Sequence, residues 1–288
     1  MGIDNNIKTG LVLEGGAMRG MFTCGITDVF MENGITFDGA AGISAGAAFG
    51  CNVKSGQIGR ALRYNKKYSR DPRYCSIRSL ITTGDMYGVD FCYHELPWKL
   101  DIFDKEAFAA NPMEFYVGAT DIHTGKCAYH LCMNGDEEDF EWIRASASMP
   151  LVSRPVRIGA RKYLDGGIAD SIPYKIMEEN GYNRNLIILT QPEGFVKKKN
   201  SAMPLMKIAL RRYPKLVQAV EDRHNMYNRE IAEISEREKS GTVLVMRPPE
   251  PLGIKRTEKD PEQLERVYRI GRAEAEKRLD QVREFLKK

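Results

Sequence analysis

Near its start the chain runs twice through one pattern: a short apolar strand, a glycine turn, then a helix. TGLVLEG (9–15) reads as the first strand, and MFTCGITDVFMENG (21–34) has helical spacing and closes on a glycine C-cap at Gly34. ITFDGAAGIS (35–44) returns as a strand, and AGAAFGCNVKSG (45–56) reads as a small-residue helix. Two strand-to-helix units in succession demand a mainly parallel central sheet sandwiched by helices, an α/β fold.

Further along, DPRYCSIRSLITTGDMYGVDFCYHELPWKLDIFD (71–104) is aromatic and rich in turns, and reads as a cap or a long insertion. PMEFYVGATDIHTGKCAYHL (112–131) has the pattern of two strands joined by a turn at HTGK. Residues 142–170 contain a short helix, an X-Pro break and another turn, and NRNLIILTQP (183–192) is a buried strand ended by Pro192. After residue 195 the chain becomes charged and helical through 241, then gives one more strand, TVLVMRPP (242–249). From Asp260 a single amphipathic helix is expected, with Leu264, Val267, Tyr268, Ala275, Leu279, Val282 and Leu286 near one face. The expected division is 1–195 as the core unit and 196–288 as a mostly helical C-terminal region.

The 288 residues suffice for one large domain with an appendage, and 42% hydrophobic with 28% charged residues is a globular composition. A formal net charge of +4 argues against a nucleic-acid partner. Six cysteines (24, 51, 75, 92, 127 and 132) form no C-x-x-C pair, so they read as free thiols rather than metal ligands or disulfides. MGIDNNIKTG lacks the apolar core of a secretory leader, and no run of about 18 apolar residues appears, so a cytoplasmic protein is expected.

The second strand ends in GISAG, residues 42–46, which is G-x-S-x-G at a strand-to-helix junction. There a sharp turn lifts the Ser44 hydroxyl clear of the backbone, and Gly42 and Gly46 remove side chains that would collide with strand and helix. The plainer alternative is a tight turn with a capping serine. A nucleophilic serine needs a base. None of the four histidines is well presented: His94 is in the irregular insert, His123 in a turn, His130 on a strand and His224 in a charged helix. YLDGGIAD offers Asp165 instead, at a strand end before the cleared turn Gly166–Gly167, with an Asx turn as the alternative. LVLEGGAMRG then supplies backbone N–H groups at Gly15, Gly16 and Ala17, suited to a developing oxyanion. The rival, a phosphate loop, lacks G-K-[ST] and G-x-G-x-x-G spacing. Arg19 reads as a brace that holds the loop by a salt bridge or as a contact for a phosphate headgroup.

GGAMRG, GISAG and DGG in this order resemble the patatin-like phospholipase family. FYVGATDIHTGK (115–126) and the stretch 144–173 extend the likeness, which covers about residues 7 to 195. The family's loop is usually G-G-G-x-[RK]-G, and Ala17 replaces the third glycine without removing an N–H. The resemblance implies a modified α/β-hydrolase fold and a Ser44–Asp165 dyad. It implies an oxyanion hole at Gly15, Gly16 and Ala17, supported by Arg19, Gly166 and Gly167, with Ala45 N–H as a further donor. Neither metal nor cofactor is implied. The implied substrates are fatty-acyl esters of phospholipids, lysophospholipids or neutral acylglycerols. A thioesterase or transacylase would use the same dyad, and a lipid-binding scaffold with a relic site is the non-catalytic alternative.

A lipid substrate implies a route to the membrane. FVKKKNSAMPLMKIALRRYPKL (195–216) mixes basic residues with Met203, Leu205, Met206, Ile208, Ala209 and Leu210. It reads either as a cap or peripheral membrane segment or as a helix packed on the core with a solvated basic face.

Overall fold

In chain order, β1 (Thr9–Leu13), a 3-10 turn (Ala17–Arg19) and α1 (Gly20–Glu32) precede the second unit, β2 (Gly39–Ile43) and α2 (Ala45–Lys54). Then come α3 (Arg60–Tyr68), α4 (Ile77–Thr83), a π-type helix (Asp90–Leu100), α5 (Lys105–Ala110), β3 (Glu114–Asp121) and β4 (Cys127–Cys132). α6 (Glu137–Ser146), β5 (Val156–Ile158), β6 (Arg161–Asp165), α7 (Tyr174–Glu179) and β7 (Arg184–Ile188) follow. The last third holds α8 (Met203–Ala209), α9 (Pro214–Lys239), β8 (Val243–Met246) and α10 (Pro261–Leu286). This computed structural model describes residues 7–287, so the first six residues of the stretch read as polar and leaderless lie outside the described residues. Among the described residues, no helix is long and apolar enough to cross a membrane.

The sheet runs β5-β6-β3-β2-β1-β7-β8, with β4 paired to β3. Strands β3, β2, β1, β7 and β8 are parallel, and β4, β5 and β6 join antiparallel, so the parallel core carries a mixed margin. Helices cover both faces, as the apolar runs of its parallel strands require. Leu11 and Leu13 join the cluster with α1, α2 and α10, while Val12 between them faces Tyr174, Tyr227 and Ile234 of α7 and α9. The strand expected from residue 35 starts at Gly39, because Ile35 N–H bonds the Phe30 carbonyl at 2.9 Å and winds that stretch onto the end of α1.

Strand β3 positions the site. Its residues 114–118 pair with β2, and its residues 119–121 pair with β6 on the same side, since β4 occupies the other. Ile43 lies opposite Gly118 and Asp165 opposite Ala119, so the chain after β2 and the end of β6 meet head to head. The HTGK turn is an Asx turn, with Asp121 Oδ1 accepting from His123 and Thr124 N–H at 2.8 and 3.0 Å.

The C-terminal region is built into the same body. β8 extends the sheet beside β7, and α10 lies along α1. That crossing is close because glycine sits on both helices. A Cβ on Gly25 would stand 2.1 Å from the Tyr268 carbonyl oxygen, and one on Gly271 would stand 2.0 Å from that of Phe22. Tyr268 Oη donates to buried Asp28 at 2.7 Å, and Arg272 pairs with Glu32 at 2.7 Å. Gly271→Ala therefore forces the helices apart, with an expected cost of about 2 kcal/mol and a melting-temperature drop of roughly 5 °C. Exposed Ala273→Ser is the control, expected to lower the melting temperature by only about 1 °C through weaker helix propensity; differential scanning calorimetry reads both.

Candidate active site

Ser44 stands between β2 and α2 with φ 54° and ψ −119°, a backbone conformation few non-glycine residues adopt. The strain is held from both sides. Ser44 N–H donates to Ser146 Oγ at 2.8 Å, and the Ser44 carbonyl accepts from Ala47 and Ala48 N–H at 3.1 and 2.9 Å. The turn closes only with glycine beside it, since a Cβ on Gly42 would stand 2.5 Å from the Gly46 carbonyl oxygen and one on Gly46 2.3 Å from that of Leu13.

Asp165 ends β6, buried at 3% exposure. Its N–H donates to the Ser148 carbonyl at 2.7 Å, and its own carbonyl accepts from Thr120 Oγ1 at 2.8 Å. Oδ1 accepts from Gly167 N–H at 2.8 Å, the Asx turn expected of DGG. Ser44 Oγ lies close enough to favour the charged carboxylate, yet Oδ2 has no partner at hydrogen-bond length among the described residues. Burial raises the Asp165 pKa above the ordinary carboxylate value, and the Arg223 charge, then Ser44 and Gly167 N–H, act against it.

The loop after β1 packs over this pair. A Cβ on Gly15 would stand 2.9 Å from Ser44 Cβ, and one on Gly16 2.7 Å from Thr190 Oγ1. No hydrogen bond takes up the N–H of Gly15 or Gly16 among the described residues. Sequence reasoning passed over the residue that pins this loop. Glu14 is buried at 2% exposure, accepts from Thr190 N–H and Thr190 Oγ1 through Oε2, and takes the Tyr227 hydroxyl on Oε1 at 3.0 Å. Its one sequence signal is a charge closing an apolar strand.

Ser44, Asp165 and Ala17 open into a cavity of about 790 Å3. Segment 71–104 supplies much of its wall through Tyr74, Met86, Tyr87, Tyr93 and Leu96, and Phe195, Met206 and Val220 close it from the C-terminal side. A smaller recess of about 40 Å3 lies against Ser44, Gly15, Gly16 and Gly167, lined by Arg19, Lys197, Arg223 and Arg256. Arg19 makes no ion pair among the described residues; Nε donates to Thr190 Oγ1 at 3.4 Å, so the salt-bridge form of the brace is absent. Arg223 Nε donates to the Gly167 carbonyl, holding the turn beside Asp165.

The histidines are spread out. His130 stacks on Trp142 and bonds Asp139 at 2.8 Å, His123 packs edge-on against Tyr213, and His224 reaches the cavity wall with Nδ1 on the Glu221 carbonyl. His130, Cys132 and Asp139 place ligand atoms within 4.8 Å of one another, but Asp139 already accepts from Asn134 and Gly135 N–H, which fits a structural hydrogen-bond cluster. The six cysteines are unpaired. In segment 195–216, Met203, Met206 and Leu210 pack inward, while Leu205 and Ile208 face outward beside Lys207.

A family model described as patatin-like phospholipase matches residues 11–177, and another, described as a domain of unknown function, matches residues 213–287. The chain is 29% identical over 202 residues to the uncharacterized protein YjjU of Escherichia coli (strain K12), which covers 64% of this chain and 52% of that protein. It is 29% identical over 185 residues to lysophospholipase NTE1 of Debaryomyces hansenii, which covers 62% of this chain and 11% of the relative. The chain thus spans about half the length of the first relative and a small part of the second. Among solved structures, VipD from Legionella pneumophila aligns over 95% of this chain and 67% of that one, with a TM-score of 0.47 and 12% identity.

Ala17, where the motif's usual pattern has glycine, sits at φ 49°. An L residue pays about 1–2 kcal/mol for that region, and glycine's extra freedom in the unfolded chain offsets about 0.4–1 kcal/mol. Ala17→Gly is therefore expected to stabilise the chain by about 0.5 kcal/mol in urea titrations. A loss of stability would mean that the methyl's packing in the cavity outweighs the strain.

Proposed function

The chain belongs to the patatin-like phospholipase family, and from that membership we propose that it is a lipid acyl hydrolase working through Ser44 and Asp165. The observation that carries the reading is the strained Ser44 turn set beside buried Asp165 under a glycine loop with free N–H groups. The lysophospholipase named among the relatives points to the same ester class.

In the proposed reaction, the Asp165 carboxylate takes the Ser44 hydroxyl proton while Oγ attacks the ester carbonyl carbon. The C=O electron pair moves onto oxygen, and the N–H groups of Gly15, Gly16 and Ala17, with that of Ala45 at the head of α2, stabilise the oxyanion. Collapse breaks the C–O bond, and the leaving alcohol takes the proton from Asp165. Water then attacks the acyl-enzyme, gives its proton to Asp165, and the fatty acid leaves as Ser44 regains its hydrogen. Aspartate is a weak base at its reference pKa of about 3.9. Burial raises this one, and fixed placement supplies much of the rest. The 790 Å3 cavity is the proposed acyl slot. Its proposed approach is peripheral contact of the exposed Leu205 and Ile208 of α8 with a lipid surface.

A fluorophosphonate probe read by intact mass tests the dyad. Stoichiometric labelling of the wild type, none of Ser44→Ala, and labelling of Asp165→Asn slowed by about a hundredfold or more are expected. An unlabelled, folded wild type would overturn the reading. The pH profile gives a second check. The carboxylate is the working form, so kcat/KM falls as pH drops through the Asp165 pKa. Arg223→Gln removes the charge that lowers this pKa and should move the acid limb to higher pH. An unmoved limb would assign it to another group.

A further inference from the structure

Four cations converge on the small recess beside Ser44 from four separate segments. Arg19 comes from the turn before α1, Lys197 from the loop after β7, Arg223 from α9 and Arg256 from the loop before α10. Two carboxylates line the same recess, and neither forms an ion pair with these cations among the described residues. Both Glu14 oxygens are engaged by Thr190 and Tyr227. Asp165 gives Oδ1 to Gly167. Lys197 is instead held over the Tyr227 ring, with Nζ 4.0 Å from the centroid. Arg19 and Arg223 use Nε on Thr190 and on the Gly167 carbonyl, and their terminal N–H groups have no hydrogen bond among the described residues.

The four charges lie close enough to disfavour one another. Burial and then Arg223, with Arg19 and Arg256, pull Lys197 down to about 8 against the Glu14 charge, and burial with Arg256 and Arg223 lowers half-buried Arg19 against the same Glu14. A solvated basic face would spread such charges apart. Here Arg19, Lys197, Arg223 and the more exposed Arg256 are gathered where a recess of about 40 Å3, room for about three water-sized volumes, meets the large cavity, which all four also line. That recess suits the oxygens of one anionic group and excludes an acyl chain, which the larger cavity accommodates.

We propose that Arg19, Lys197, Arg223 and Arg256 form a subsite for a phosphate group, so that the enzyme selects acyl esters carrying a phosphate over neutral acylglycerols. The proposal rests on the Ser44–Asp165 reading for its placement, since the recess touches both residues. With the ester carbonyl at Ser44, the glycerol phosphate turns toward the cations at the recess, and the acyl chain follows the apolar wall of the cavity formed by Tyr74, Met86, Tyr87 and Leu96. Guanidinium forks and an ammonium fit a phosphate through charge-assisted hydrogen bonds. Lys197, Arg223 and Arg256 lie beyond the patatin-like match at 11–177, so the C-terminal region would set this preference.

Binding and turnover test the two layers separately. Octanoyl glycerol phosphate and octanoyl glycerol share one acyl chain and differ only in the phosphate. Full-length Ser44→Ala should bind the phosphorylated ester about tenfold tighter or more, the worth of one charge-assisted contact. Adding Lys197→Gln and Arg256→Gln should remove most of that difference. Equal binding of the two esters by Ser44→Ala would overturn the subsite whether or not the wild type is a hydrolase. Active Ser44 enzyme should show the same ratio in kcat/KM, and the double variant should lose it. An equal fall on both esters would assign the cations to the oxyanion or Asp165, and would also overturn the subsite. Inorganic phosphate should compete with the phosphorylated ester. Phosphate that raises the melting temperature without competing, alongside equal affinity for the esters, would mark a free-anion site and refute headgroup selection. A wild type that hydrolyses neither ester fails the hydrolase reading alone, because the Ser44→Ala binding ratio still decides the subsite.

Discussion

Strand β3 carries two partners in succession along one edge, and the site depends on that handover. Up to Gly118 it pairs with β2, and from Ala119 it pairs with β6. The parallel partner delivers Ser44 just beyond its last residue, and the antiparallel partner delivers Asp165 as its last residue. Two groups far apart in the chain are thus fixed by backbone ladders rather than by flexible loops, which limits how far either can drift. A site placed this way tolerates wide variation in its surrounding loops, because its geometry belongs to the sheet.

The handover works only if the crowded junction is emptied of side chains. A Cβ on Gly118 would stand 2.5 Å from Ile43 Cδ1, and one on Gly166 would stand 2.2 Å from the Gly118 carbonyl oxygen. The same condition recurs at the α1–α10 crossing through Gly25 and Gly271. Glycine costs conformational entropy in strands and helices, so these positions show where close backbone approach matters more than local propensity. That approach also brings the final helix against the helix that starts under the glycine loop, and ties the C-terminal region mechanically to the site.

What could be read from sequence follows from the range of the interactions involved. The β1–α1 and β2–α2 units, the GISAG turn and the DGG turn are local, and periodicity with glycine placement exposed them. Of the antiparallel strands, only the end of β6 at Asp165 was legible, and β5 was not separable from a turn-rich stretch, because β6 finds β3 across a long sequence gap and β5 pairs only with β6. Helix α3 went unread although Ala61, Tyr64 and Tyr68 mark one buried face at helical spacing, because its run is strongly polar and Arg60 and Asn65 on that face find their partners, Asn52 and Tyr74, only in the tertiary fold. Glu14 was passed over because its partners, Thr190 and Tyr227, are distant in the chain. Lys197, Arg223 and Arg256 each look like ordinary solvated charges in their own segments, and only the tertiary fold makes them a cluster.

That cluster and Asp165 act on each other. Burial alone would push the carboxyl toward its neutral form, where it accepts no proton, and Arg223 and Arg256 return it toward the charged form. The cations therefore trade availability of the base against its strength. An anion seated in the recess would cancel part of their field, raising the Asp165 pKa while its neighbour Ser44 is engaged with an ester. On the proposed reading, a base strengthened when the phosphate is in place and kept ionised when it is absent would couple substrate selection to proton transfer. It would do so through charge alone, with no movement of the sheet that holds the two residues.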